Sequence, residues 1–203
     1  MKAAISVAIC LLSVCALGVS PLVPAQEEEK QPKREKFGAL AFMPAGAGPA
    51  MVGAGTRVNV DIHINSYTND AEAKSMASAL IESGPDALLK LLEKSKAKGK
   101  ITITGRVGFY DLKLIRSHKI EGGRRIYAVG DRPVGFLEAY VNNRSRDYPF
   151  GILQLDLKTD SKGKEEGVGS LIYAGKIKVM DGKSIEVETY GIEPIKMLGV
   201  RKL

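Results

Sequence analysis

Two histidines, His63 and His118, and two cysteines, Cys10 and Cys15, are all the sequence offers of the side chains that most readily ligate metals or act as bases and nucleophiles near neutral pH. His63 lies in the stretch RVNVDIHIN, where Asn59, Asp61 and His63 recur at every second position. On a strand these three share one face. They form a polar row in which Asp61 would orient His63 as a base, or which would hold a cation if the row faced a cavity. The same row also describes the watered side of an amphipathic strand. No HxxxH or HExxH spacing is present, so no metal site is expected. Ser117 and His118 are neighbours and would point to opposite faces of a strand, so they make no dyad. Neither a G-x-S-x-G elbow nor an S-x-x-K motif occurs.

Carboxylate pairs give little more. Glu186 and Glu188 share a face, and Lys176 and Lys178 stand opposite them across a predicted hairpin, so cross-strand ion pairing accounts for all four. Glu138 and Asp156 sit in apolar stretches and are expected to face outward. Turned inward, either would become an acid–base group with a raised pKa. The glycine-rich run GAGPAMVGAGT lacks G-K-[ST] and precedes a strand, so it is no phosphate loop, and no cofactor is expected.

The remaining feature is cationic. Residues 106–132 hold Arg106, Lys113, Arg116, Lys119, Arg124, Arg125 and Arg132 against Asp111, Glu121 and Asp131. Arg144 and Arg146 follow in NNRSRDYPF beside Tyr148 and Phe150. Guanidinium groups beside aromatics suit an anionic or planar ligand. Arg116, Arg124, Arg125, Arg144, Arg146 and Tyr148 are therefore the candidate ligand-binding set, with a solvated basic face as the alternative.

The compartment decides which anions matter. Lys2 precedes an uncharged stretch, residues 3–19, a little short for a membrane span of about 20 residues. Val23-Pro24-Ala25 then offers small residues where a signal peptidase requires them, and EEEK follows. A secretion signal, residues 1–25, cleaved near Ala25 is expected, with an uncleaved anchor as the alternative. Val14 before Cys15 and Ile9 before Cys10 are poor lipidation contexts. Both cysteines would leave with the signal, removing thiol and zinc-thiolate chemistry from the mature chain. The whole chain carries a net charge of +7, and residues 26–55 contribute none of it. For an exported, non-spanning protein, the expected partners are an anionic or apolar small molecule, or an envelope lipid or polyanion. Nucleic acid is not expected.

The elements that would position these groups follow from periodicity. Residues 26–55 read as a disordered or flexible Gly/Ala/Pro-rich linker, and residues 56–203 as one domain. Val58, Val60, Ile62 and Ile64 alternate with polar residues in a first strand. Thr68 or Asn69 would cap a helix whose buried stripe is Ala73, Met76, Ala77, Leu80 and Ile81. Gly84-Pro85 ends it and opens a second helix, with Lys94, Lys96 and Lys98 toward its end and Gly99 as its stop. From Lys100 the period becomes 2. Strands are expected at 100–109, 110–118, 125–130, 135–142, 151–158, 168–174, 176–180, 184–189 and 195–201, with turns at Glu121-Gly122-Gly123-Arg124, Asp160-Ser161-Lys162-Gly163 and Asp181-Gly182. The fold class is α+β: a strand, two helices, then a long antiparallel run forming a curved sheet or partial barrel packed on the helices. The opening order is similar to helix-grip domains, whose long C-terminal helix Pro194 and Gly199 argue against here.

Through GRVGFYDLKLIRS, DYPFGILQLDLK and YGIEPIKMLGVRK, residues 56–203 resemble uncharacterised exported bacterial proteins. That resemblance implies bacterial origin and no mechanism. The expected function is an exported, non-enzymatic domain binding an apolar or anionic ligand or an envelope component. The alternatives are a small exported hydrolase using His63 and Asp61, and a purely structural or protein-interaction domain.

Overall fold

Alternating burial produces the strand that RVNVDIHI predicts. In β2 (Arg57–Ile64), Val60, Ile62 and Ile64 are buried while Asn59, Asp61 and His63 take the other face. The computed structural model describes residues 34–42, 57–105, 107–134, 147–180, 184–189 and 193–203. After β2 comes α1 (Asp70–Ser83), started by a capping box in which the Asn69 side chain accepts from the Glu72 N–H and Glu72 accepts from the Asn69 N–H. Its buried residues are Ala73, Met76 and Leu80. Gly84, at φ 83°, closes α1 and opens α2 (Pro85–Lys94), which buries Leu88 and Leu92. The helix stops at Lys94, and Gly99 instead opens the next strand. A Cβ on Gly99 would lie 2.4 Å from the His63 carbonyl oxygen, so a close approach of two strands fixes this glycine.

The remaining strands are β3 (Gly99–Ile103), β4 (Tyr110–Leu112), β5 (Leu114–Ile120), β6 (Gly123–Gly130), β7 (Phe150–Thr159), β8 (Glu165–Met180), β9 (Ser184–Thr189) and β10 (Ile195–Lys202). Glu121 and Gly122 turn β5 into β6, with Gly122 at φ 72°. The strands expected at 168–174 and 176–180 are one strand, β8. Its first part pairs with β7 and β10, and from Gly175 it pairs with β9. The expected strand at 135–142 and the Asp181-Gly182 turn lie outside the described residues.

One expectation is overturned within the linker. Glu35–Phe42 forms β1, which lies between β2 and β10 and pairs antiparallel with both. Phe37, Ala39 and Ala41 face inward. Ala and Gly make this stretch look like a linker, but strands on both sides supply its hydrogen bonds and Phe37, Ala39 and Ala41 pack into the interior cluster.

The sheet order is β4-β3-β2-β1-β10-β8-β7-β6-β5, with β9 beside β8. Its two outer strands are consecutive in the chain. Tyr110–Leu112 pairs with β3 at one edge, and Leu114–Ile120 pairs with β6 at the other. At the junction the Lys113 N–H donates to the Val129 carbonyl at 2.9 Å, and the Lys98 N–H to the Leu112 carbonyl at 2.8 Å. The result is a nearly closed, barrel-like antiparallel sheet with two helices, broadly α+β. Strand side chains fill its interior, among them Phe37, Ile62, Ile101, Ile115, Ile126, Leu155 and Met197. A second buried cluster joins Met76, Leu80, Leu88 and Leu92 of the helices to Phe150, Ile152, Ile172, Ile177 and Val187.

Candidate functional site

Among the described residues, the densest polar constellation lies at the end of the barrel where β1 begins. Glu35 precedes Phe37 on the inward face of β1, and its side chain is fully buried. Arg124 is on the inward face of β6, two positions before Ile126. Its guanidinium donates to both Glu35 oxygens, at 3.1 Å (Nη1) and 2.7 Å (Nη2), and to both Glu165 oxygens, at 2.6 Å (Nε) and 2.7 Å (Nη2). Lys202 of β10 donates to Glu35 at 2.6 Å, and the Tyr67 hydroxyl also donates to Glu35. The Arg124 guanidinium lies 5.9 Å from the Phe37 ring centroid, closing the network onto the interior cluster.

The electrostatics follow from this geometry. Burial pushes the Glu35 pKa up, but hydrogen bonds from Arg124, Lys202 and Tyr67 outweigh it and hold the carboxyl below its ordinary value. Burial and the hydrogen bond to Glu35 raise the Tyr67 phenol. Burial works against the Arg124 charge, but Glu165 and Glu35 keep it protonated. Every strong donor of Arg124 already has a carboxylate, so the cluster ties four strands and the β2–α1 connection together and offers no vacancy to an incoming anion.

Of the expected ligand-binding set, Arg116, Arg124, Arg125 and Tyr148 lie among the described residues. Arg124 and Arg125 are neighbours on one strand and leave it on opposite faces. Arg125 pairs outward with Asp156, its register partner on β7, through Nε and through Nη2 at 3.1 Å. Arg116 pairs with Asp70 of α1 at 2.7 Å and donates to the Thr68 carbonyl at 2.8 Å. The Tyr148 hydroxyl donates to Glu188 at 3.0 Å. Arg144 and Arg146, like Arg106 and Glu138, lie outside the described residues. Three of the four described candidates are thus arginines already engaged with carboxylates, and Arg124 faces inward, away from Arg116 and Arg125 on the outer face.

The polar row on β2 fares similarly. Asp61 pairs with Lys36 at 3.1 Å and makes no hydrogen bond to His63. His63 has Lys36 and Lys100 as its register partners on either side, and burial together with these two cations lowers its pKa despite Asp61. Asn59 stands exposed farther along the strand. A neutral imidazole between two lysines lacks the carboxylate that would orient it as a general base. His118 is also shifted down, by burial and by Arg116, and packs edge-on against Tyr127 with ring centroids 6.1 Å apart. Asp156 faces outward as expected. Lys178 pairs with Glu188 at 2.5 Å, and in register Lys176 stands opposite Glu188 and Lys178 opposite Glu186, so of the two hairpin carboxylates Glu188 carries the ion pair. Among the described residues, no group of three or more His, Cys, Asp or Glu side chains is placed to hold a metal.

Sequence reasoning missed Glu35, Glu165, Lys202 and Tyr67. An acid two positions before an apolar alternation was the only local signal for Glu35, and its partners lie far along the chain. Also missed was the β3–β4 connection. There Val107 is 97% exposed and Phe109 49% exposed, with the Lys100 ammonium 5.2 Å from the Phe109 ring centroid. Comparison with protein-family models, curated proteins and solved structures finds no match to this chain.

Proposed function

We propose that this chain acts outside the cytoplasm, after cleavage near Ala25, as a non-enzymatic domain that binds an envelope component through its surface. The observation that carries this reading is how the barrel uses its interior. Among the described residues, the inward positions are occupied mainly by buried aliphatic and aromatic side chains, and the ion network around Glu35 is satisfied from within. Binding therefore falls to the outer surface, where the positive charge, +6 once Lys2 has left with the signal, favours anionic partners such as lipid headgroups or polyanions over nucleic acid in that compartment. In this reading the helix pair braces the sheet through the second buried cluster, leaving the barrel ends for contact. The hydrolase alternative gains no support from His63 standing between two lysines, with Asp61 engaged by Lys36.

The test is expression of the full chain in a bacterial host, followed by fractionation, N-terminal sequencing, and native mass spectrometry with lipid extraction. The expected result is a processed chain beginning near Gln26, with no small molecule retained inside and salt-sensitive retention on anionic lipid or polyanion. A soluble cytoplasmic protein with an intact N-terminus, or an esterase activity abolished by H63A, would overturn it.

A further inference from the structure

The β3–β4 loop projects from the barrel end opposite the Glu35 network. β1 ends at Phe42 opposite Arg57, where β2 begins, and Ile103 at the end of β3 pairs with Val60. The chain then turns through Gly105 at φ 82° and Gly108 at φ 96° before β4 starts at Tyr110. A Cβ on either glycine would meet open space, so the positive φ and not crowding explains glycine there. Between them Val107 stands almost wholly in water, followed by the half-exposed Phe109. The loop is held at its base. Arg132 Nη2 donates to the Phe109 carbonyl at 2.8 Å, its guanidinium lies 5.6 Å from the Tyr110 ring centroid, and Lys100 sits over the Phe109 ring.

A single exposed valine needs no explanation. What distinguishes this one is its place at the tip of a glycine-turned loop with cations beneath it. Phe42, 38% exposed, lies at the same barrel end, as do the exposed Arg57 and Lys196, both register partners of Phe42. Asp147 and Glu193 are exposed acids at that end, and Asp131 is engaged by Lys113 at 3.5 Å. The described cations there outnumber the open carboxylates. An apolar tip above a cationic base matches a bilayer surface, where the tip enters the acyl boundary by about 5–10 Å and the cations meet phosphates.

We propose that the Val107–Phe109 tip inserts into an anionic lipid surface, with Arg132, Arg57 and Lys196 facing the headgroups. This rests on the reading of the protein as an envelope-binding domain, and names the lipid and the residues. The sequence contains no tryptophan, so V107W places a single emission reporter at the tip. The full-chain protein, V107W and V107D would be floated with vesicles of phosphatidylcholine alone and of phosphatidylcholine with 30% phosphatidylglycerol, the composition being a choice of about that proportion. The expected result is flotation with the anionic vesicles only, a blue-shifted V107W emission on binding, and about a tenfold loss of binding in V107D with unchanged circular dichroism. Flotation with water-like V107W emission would overturn the tip while leaving an envelope-lipid function standing. Emission already blue-shifted without vesicles would overturn it too, showing the tip covered by the protein's own chain or a second copy. No flotation with either vesicle would sink the inference and the lipid arm of the functional reading together. A polyanion-binding function would then remain to be judged by its own retention assay.

Discussion

Two adjacent arginines show how burial decides what a charge is worth. Arg125 and Asp156 form an outward pair, each about a third exposed, and such pairs contribute little because water screens them. R125A is therefore expected to cost under about 1 kcal/mol in urea denaturation. Glu35 is fully buried and accepts from Arg124, Lys202 and Tyr67. E35A leaves Arg124 with Glu165 alone inside the barrel end, and a loss of about 3 kcal/mol is expected. Equal, small losses for both variants would show that the network contributes nothing beyond a surface pair. The pH dependence has a definite sign. The folded carboxyl of Glu35 titrates below its ordinary value of 4.5. Its stabilisation is thus complete above the unfolded-state pKa and is lost as pH falls through the folded one. Between about pH 5 and about pH 3 the urea midpoint of the native protein should fall more steeply than that of E35Q. Parallel slopes would exclude Glu35 from the acid limb.

At the scale of elements, β1 carries the sharpest lesson. Phe37, Ala39 and Ala41 alternate inward as cleanly as Val60, Ile62 and Ile64 do in β2. However, alanine and glycine have low strand propensity, and the run leads into Pro44 and Pro49, so local chemistry reads as linker. β2 was legible because β-branched residues mark it in isolation. β1 is specified by its neighbours, and neighbours 15–29 and 154–165 positions away leave no local trace. The site was less legible than the fold for the same reason. That Arg124 and Arg125 diverge follows from strand alternation alone, whereas the pairing of Arg124 with Glu35 and Glu165 depends on how the barrel closes. A chain starting at residue 43 is expected to remain unfolded by circular dichroism, while one starting at residue 34 folds. F37A should cost about 3–5 kcal/mol. Two glycines sharpen the point about close strands. A Cβ on Gly167 would lie 1.8 Å from the Asp156 carbonyl oxygen, while one on Gly163 would meet nothing. G167A should therefore lower the melting temperature well beyond G163A, which bears only the strain of its φ of 77°, about 1–2 kcal/mol. Similar melting temperatures would mean the β7–β8 backbone relaxes to admit a side chain.

The sheet comes nearly to closure because one stretch of chain, Tyr110–Ile120, serves both of its edges. An open sheet of this size would expose two rows of unpaired backbone groups; here the Lys113 N–H donates to the Val129 carbonyl and Thr68 exchanges hydrogen bonds with Ile115, so the two edges meet at the junction. It also couples the strands, since separating β4 from β3 or β5 from β6 opens the interior cluster to water. β9 stands apart from this logic. It pairs with β8 alone, beyond Gly175, and its buried Val187 belongs to the second cluster with the helices rather than to the barrel interior. Stability should accordingly divide. Amides of β1, β2, β7 and β10, paired on both sides inside the closed sheet, can exchange only when the barrel opens as a unit. Amides of β9 can exchange by local release of the hairpin at a lower free energy. Native-state hydrogen exchange read at increasing denaturant is expected to show residues 184–189 exchanging first, with little denaturant dependence. Residues 57–64 and 195–202 should converge on one higher isotherm. If 184–189 joined that isotherm, the hairpin would be part of the closed unit, and the second cluster would couple to the barrel as tightly as the strands couple to each other.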